Sequence, residues 1–311
     1  MEIISIYNKF RECGVVATDF GALRGGEMFF ALKGENFDGN EYALKALEAG
    51  AAYAVVNKDS AVASVEDPRL VKVDDTLKTL QDLARWHRSM TIVDGKPLTV
   101  VALAGTERKT VLKELIRKVL SFRYDVVVSD NCQNDATGVP MTLLRITKDT
   151  KLAVVEMRAS SPGGIKELVD IALPNYGLIA DIDASHLCGF DNLEDLMNTT
   201  GELYDYLRRT SDKVFINVDN PYLCRMAADR NLQSDPERPY SLLIPYGLDY
   251  QGARIMNADA EHAFLRIELE GRVIGTNLSG TYDADCVMAA LAVGRQFGIS
   301  LDEACDAIGS L

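Results

Sequence analysis

No run of 18 consecutive apolar residues occurs in this sequence, which excludes a transmembrane helix. The opening Met1-Glu2-Ile3-Ile4-Ser5 has neither a basic stretch nor a cleavage pattern, so no secretory leader is expected and the cytoplasm is the expected location. Six cysteines (Cys13, Cys132, Cys188, Cys224, Cys286, Cys305) are scattered without C-x-x-C spacing, and define neither a disulfide framework nor a zinc cluster. They are expected to be reduced, partly buried small hydrophobes. Positive charge is also short: 33 Lys and Arg against 46 Asp and Glu leave a net charge of −13. That balance excludes a phosphate-tracking groove for DNA or RNA and favours solubility instead. Of three histidines, His87 and His262 have no catalytic neighbours in sequence, and there are no internal repeats or low-complexity tracts.

What is present is a chain of 311 residues, 47% hydrophobic and 25% charged, enough for two units with a substantial core each. Residues 1–80 read as a small α/β unit. A helix near Ile3–Phe10 is followed by strands at Met28–Leu32, Ala54–Val56 and Leu70–Val73, with a helix from Glu41 to Ala49 closed by Gly50. Lys33 to Asn40 is a Gly- and Asx-rich loop. From 81 to 311, after a helix over 77–90, short apolar strands alternate with amphipathic helices. That pattern predicts a mainly parallel sheet covered on both faces. A β meander is expected from about residue 245 to Gly275, then helices around 284–297 and 301–308.

The most informative stretch is Val100 to Leu120. An apolar strand runs into Gly105-Thr106-Glu107-Arg108-Lys109-Thr110, and a helix follows with Leu112, Leu115, Ile116, Val119 and Leu120 on one face. Strand, tight loop, Lys-Thr and helix is the layout of a nucleoside-triphosphate site. Backbone N–H groups of Gly105 and Thr106 and the helix start would hold phosphates, Lys109 would neutralise them, and the Thr110 hydroxyl would bind Mg²⁺. The residue before the lysine should be glycine, because the backbone there passes close to phosphate and often needs φ > 0. Here it is Arg108, with the negative Glu107 beside it.

Several further stretches, in order, identify a family. Phe29 to Gly39, Gly138-Val139-Pro140-Met141-Thr142, Val154-Val155-Glu156-Met157, His186-Leu187 with Gly189-Phe190, Gly201-Glu202-Leu203-Tyr204 and Asn217-Val218-Asp219-Asn220-Pro221 resemble the Mur ligases. The likeness is greatest to the branch that adds D-alanyl-D-alanine to UDP-N-acetylmuramoyl-tripeptide in peptidoglycan synthesis. The resemblance implies a UDP-binding-type unit over 1–80, an ATP-binding-type unit over 81–311, and a missing third module that would bring the incoming amine. It also implies ATP and Mg²⁺ as cofactors and an acyl-phosphate intermediate. Residue by residue, it assigns Lys109, Glu156 and His186 to catalysis, and Thr110, Glu156 and His186 to metal. Gly105, Thr106, Lys109, Thr110, Asn134 and Asn217 fall to the nucleotide. Thr18, Asp19, Lys33, Gly34, Asp38 and Gly39 fall to the UDP substrate.

The same comparison exposes departures. The family's G-N-x-N-N loop reads Asn131-Cys132-Gln133-Asn134-Asp135, the glutamate after His-Leu is Cys188, and the lysine that becomes carbamylated is Thr200. The H-N-x-x-N signature near the adenine falls on Tyr282, Asp283 and Cys286, and the pyrophosphate grip reads Ala17-Thr18-Asp19-Phe20-Gly21. Each such group contributes about a few kcal/mol to binding or transition-state stabilisation. Their joint loss leads us to expect a catalytically degenerate ligase homologue that retains a binding or partner role, with a UDP-sugar or UDP-muramoyl-peptide as ligand. A protein partner or a second copy of the chain would fit the partner role. An active ATP-dependent ligase served by a separate acceptor domain, and a ligand-free structural module, are the alternatives.

Overall fold

The computed structural model describes residues 2–130, 132–183, 185, 187, 189–232, 242–256 and 263–309. The architecture is α/β throughout. Helix α1 (Ile3–Cys13) leads into strands β1 (Val16–Ala17) and β2 (Met28–Phe30), helix α2 (Ala43–Glu48), and strands β3 (Tyr53–Asn57) and β4 (Leu70–Val73). These form a four-stranded parallel sheet in the order β1-β2-β3-β4. Alternate side chains on a strand face opposite ways. Met28, Phe30, Val55 and Val71 therefore pack in one core with Ile6 and Phe10 of α1, while Phe29, Ala31, Ala54 and Val56 pack in another with Ala43, Ala46 and Leu47 of α2.

Helix α3 (Thr76–Met90) is capped by Asp75, whose carboxylate accepts from the Lys78 N–H. Leu80 lies inside it, and Leu80, Leu83 and Ala84 share the core that runs on into the second sheet. Arg88 is 4% exposed and ties this helix down. Its guanidinium donates to the carbonyls of Ala172 and Leu173 and to Asn175 Oδ1 at 3.2, 2.8 and 2.9 Å.

A short hairpin, β5 (Ile92–Val93) and β6 (Lys96–Pro97), precedes β7 (Thr99–Ala104), helix α4 (Lys109–Ser121), β8 (Val126–Val128), α5 (Gly138–Leu143), β9 (Leu152–Glu156) and α6 (Gly164–Ala172). Then come β10 (Tyr176–Ile179), α7 (Leu193–Thr210), β11 (Lys213–Asn217), α8 (Pro221–Asp229) and β12 (Leu243–Tyr246). The six strands β12-β11-β10-β7-β9-β8 form one parallel sheet. Val100, Ala102, Ala153 and Val155 face α3, α5, α6 and α7, whereas Val101, Leu103, Val154 and Leu178 face α4 and α10. Sequence periodicity had anticipated this covering of both faces.

Beyond β12 the expected meander is partly helical. Residues Leu248–Gln251 form one helical turn, α9, before the antiparallel strands β13 (Arg254–Ile255), β14 (Arg266–Leu269) and β15 (Arg272–Gly275). Gly252 closes that turn in the left-handed region at φ 65°. Helices α10 (Ala284–Gln296) and α11 (Leu301–Gly309) follow, with α10 packed on α4. Among the described residues, no helix is long and apolar enough to cross a membrane.

Candidate functional site

After β7 the chain passes over β9 to β8, returns to β9, and then crosses to β10 on the other side of β7. The order of connection reverses at β7, and in open parallel sheets ligands bind in the crevice at the carboxyl ends beside such a reversal. The predicted residues collect there. The loop Gly105–Arg108 leaves β7, Glu156 ends β9, and Asn217 ends β11. Asp181, two residues past the end of β10, stands beside Thr106 because β7 and β10 run parallel with Ile179 level with Ala104.

Arg108 carries the loop's main departure. Its φ of 54° lies in the left-handed region, so the backbone adopts here the conformation that a glycine would supply without strain. The side chain turns away from the loop. Arg108 Nη1 donates to the Tyr282 carbonyl at 2.9 Å, and the guanidinium lies 5.0 Å from the centre of the Tyr282 ring. Two positions that depart from the family pattern thus contact one another.

Lys109 is 7% exposed, and its ammonium donates to the Gly105 and Thr106 carbonyls at 2.8 Å each. Burial and these bonds make it part of the interior of the loop and not a solvated surface lysine. Thr106 is buried at the base of the loop, and the Thr110 hydroxyl lies on the exposed start of α4. Asp181 Oδ1 accepts from the N–H groups of Thr106 and Glu107 and from the Thr106 hydroxyl, at 3.2, 3.1 and 3.1 Å. Burial raises the Asp181 carboxyl above the ordinary Asp range despite those bonds.

Glu156, 3% exposed, accepts from Asn134 Nδ2 at 2.8 Å. Its other oxygen lies 3.8 Å from the ammonium of Lys113, one turn beyond Lys109 and itself 1% exposed. At nucleotide sites Mg²⁺ takes one or two protein oxygens and completes its shell with phosphates and water. Thr110 and Glu156 would be those donors here, with the buried Lys113 ammonium competing for the Glu156 carboxylate. Among the described residues, no group of three or more His, Cys, Asp or Glu side chains is placed to hold a metal. His186, assigned to metal and catalysis from the sequence, lies outside the described residues, as do Asn131, Cys188 and His262.

Asn217 is buried, and its Oδ1 accepts from the Asp219 N–H at 3.0 Å. Its side chain also hydrogen-bonds Asp285, whose carboxyl burial raises. Burial pushes the Cys286 thiol up to about 12, so at neutral pH it stays a protonated small hydrophobe.

The predicted substrate residues gather on the first sheet. Thr18, Asp19, Phe20, Gly21, Phe29, Phe37, Gly39 and Tyr42 line a cavity of about 400 Å³. Asp19 caps the turn at Phe20–Ala22 through the Gly21 N–H, and Phe20 packs against Tyr42 with ring centres 5.8 Å apart. Asp38 accepts from the backbone and side-chain amides of Asn40, which hold its carboxyl below the usual range. Lys33 bridges Asp38 at 3.9 Å across the loop neck, where Gly34 N–H donates to Phe37 O. Gly39 is required by close approach: a Cβ there would stand 2.5 Å from the Leu32 carbonyl oxygen.

The profile of the Mur ligase middle domain matches residues 103–294, and that of the Mur ligase family catalytic domain matches residues 18–90. The chain belongs to the Mur ligase family. Similar curated relatives are UDP-N-acetylmuramoyl-tripeptide–D-alanyl-D-alanine ligases. That of Haemophilus influenzae is 30% identical over 281 residues, covering 89% of this chain and 58% of the relative. That of Bacillus subtilis is 29% identical, covering 95% and 61%. The chain therefore spans about three fifths of the length of these relatives. In fold it is similar to MurF of Acinetobacter baumannii, with a TM-score of 0.78 at 21% identity, covering 94% of this chain and 62% of that one. It is likewise similar to the MurF ligase of Thermotoga maritima solved in complex with ADP, with a TM-score of 0.76 at 24% identity, covering 96% and 66%.

Sequence reasoning missed Asp181, Lys113, Arg88 and the Arg108–Tyr282 contact. Lys113 had a signal, being four residues beyond Lys109 and so on the same helix face. Asp181 had one too, since it closes the next apolar strand and parallel pairing would set it beside the loop.

Proposed function

We propose that this member of the Mur ligase family is a homologue of the D-alanyl-D-alanine-adding ligase whose nucleotide site does not sustain turnover. Its role is to bind a UDP-muramoyl-peptide or UDP-sugar in cell-wall metabolism. The two-unit division, UDP-binding type over 1–80 and ATP-binding type over 81–311, belongs to the same reading.

The observation that carries it is the state of the loop. Arg108 occupies the glycine position in a left-handed conformation and is drawn off to Tyr282, and Lys109 spends donors on its own loop. The charge clamp that phosphoryl transfer requires is not assembled from these groups. On the substrate side the cavity keeps its aromatic walls and the ordered Lys33–Asn40 loop, which suits a planar base. Phe20 and Gly21 there offer a diphosphate neither hydroxyl nor guanidinium.

A phosphate-release assay tests this, with UDP-N-acetylmuramoyl-tripeptide, D-alanyl-D-alanine and Mg-ATP. The expected result is release no faster than the no-enzyme control. Substrate-dependent release would establish a working ligase. One observation favours that second reading: Glu156 and Asn134 stay buried and joined at the crevice.

A further inference from the structure

The donors of the loop are already answered by an anion of the chain's own. Asp181 Oδ1 receives three bonds from two successive loop residues, Thr106 and Glu107, all within 3.2 Å. The Thr106 N–H is also within 3.3 Å of the Asp181 carbonyl, and the Thr106 hydroxyl in turn accepts from the Asp183 N–H at 3.2 Å. The loop is thus stitched to the end of β10 by side chain and backbone together. Gly105 allows this closeness: a Cβ there would meet the Asp181 carbonyl oxygen at 3.0 Å.

Two consequences follow from charge. An amide N–H aimed at Asp181 is not available to a phosphate oxygen. A carboxylate in this partly buried position also repels an incoming polyphosphate more strongly than an exposed one, because water and salt screen it less. The other groups near it sharpen the contrast. The Arg108 guanidinium favours the charged form of Asp181 while itself bonded to the Tyr282 carbonyl, and Asp285 on α10 adds a second half-buried acid nearby. Glu107 is exposed, and its charge is screened accordingly.

We propose that Asp181 is a built-in competitor for polyphosphate, holding the Gly105–Arg108 loop closed on itself and setting the low nucleotide affinity of this chain. The inference rests on reading residues 105–110 as the family's phosphate loop. It assigns the weak affinity to one carboxylate and not to the loss of glycine alone.

The test is isothermal titration of Mg-ATP into the wild-type chain and the variants Asp181→Asn, Asp181→Ser and Glu107→Gln, each first checked for cooperative thermal unfolding. Asparagine keeps an accepting oxygen, so the loop keeps its place, but without the charge each bond is weaker and the loop's N–H groups are more readily given up to a phosphate. The expected result is at least a tenfold gain in affinity for Asp181→Asn and less than a threefold gain for Glu107→Gln. Where the wild type gives no heat, the gain is read as the onset of binding in the variant. Asp181→Ser carries the same expectation should the asparagine variant fail to fold. Affinity within threefold of wild type in both Asp181 variants, including silence from all chains, overturns the inference. An equal gain from Glu107→Gln overturns it as well. Failure of the underlying functional reading looks different: the wild-type chain itself would bind Mg-ATP at micromolar concentration and hydrolyse it.

Discussion

Replacing Arg108 by glycine and, separately, by alanine isolates the strain stored in the loop. Both variants lose the same contacts, the hydrogen bond to the Tyr282 carbonyl and the stacking over its ring. With the exposed Tyr282 as partner, each is worth roughly 0.5–1 kcal/mol. Only glycine also relieves the backbone, which at φ 54° costs a non-glycine residue about 1–2 kcal/mol. Glycine in turn loosens the unfolded chain, giving back roughly 0.5–1 kcal/mol. The balance for Arg108→Gly is a loss of about 1 kcal/mol, and for Arg108→Ala about 1–2 kcal/mol, with alanine the less stable of the two. Urea unfolding followed by circular dichroism reads both, and equal slopes against denaturant show that the unfolded states are comparable. An alanine variant as stable as the glycine variant would refute the claim that Arg108 holds a conformation meant for glycine. A loss above about 3 kcal/mol in both would show that Arg108 is a structural support and not a surface strap.

Arg88→Met should lower stability by about 3–5 kcal/mol, since it strips the Ala172 and Leu173 carbonyls and Asn175 of a buried charged donor; urea unfolding measures it, and a loss below 1 kcal/mol would contradict the contacts described. Gly39→Ala should destabilise by about 2 kcal/mol or more and abolish uridine binding in the aromatic cavity, because its Cβ meets backbone at 2.5 Å; unchanged melting temperature and affinity would refute this. His87 is held neutral by burial, with its ring nitrogen 2.8 Å from the Ile146 carbonyl, and its pKa lies below 6.5. The unfolded chain therefore binds the proton first. Its contribution to stability is intact above pH 6.5 and is lost as pH falls below that toward the depressed value, so His87→Gln should flatten the stability profile below pH 6.5; an unchanged slope would be the contrary result.

Much of the fold was legible because its signals are local. Parallel strands buried on both faces read as short apolar runs, and Val100–Ala104, Leu152–Glu156 and Lys213–Asn217 lie where those runs predict. The helical turn at Leu248–Gln251 was not legible, since four residues carry no amphipathic period. At the site, the expectation of a positive φ before Lys109 followed from the backbone chemistry of phosphate loops, and it holds although the residue is arginine. Where Arg108 and Lys109 send their charges was not legible. That depends on Tyr282, 174 positions away, and on carbonyls that a tight loop turns inward. Asp181 escaped notice because its role is set by strand register and not by any motif.

The central claim, that this chain keeps a nucleotide-handling framework without its reactivity, is tested most directly by calorimetric titration of Mg-ATP into the wild-type chain in parallel with a UDP-sugar. The account predicts heat from the UDP-sugar and none from Mg-ATP at micromolar concentrations. Micromolar Mg-ATP binding accompanied by ADP formation would contradict it.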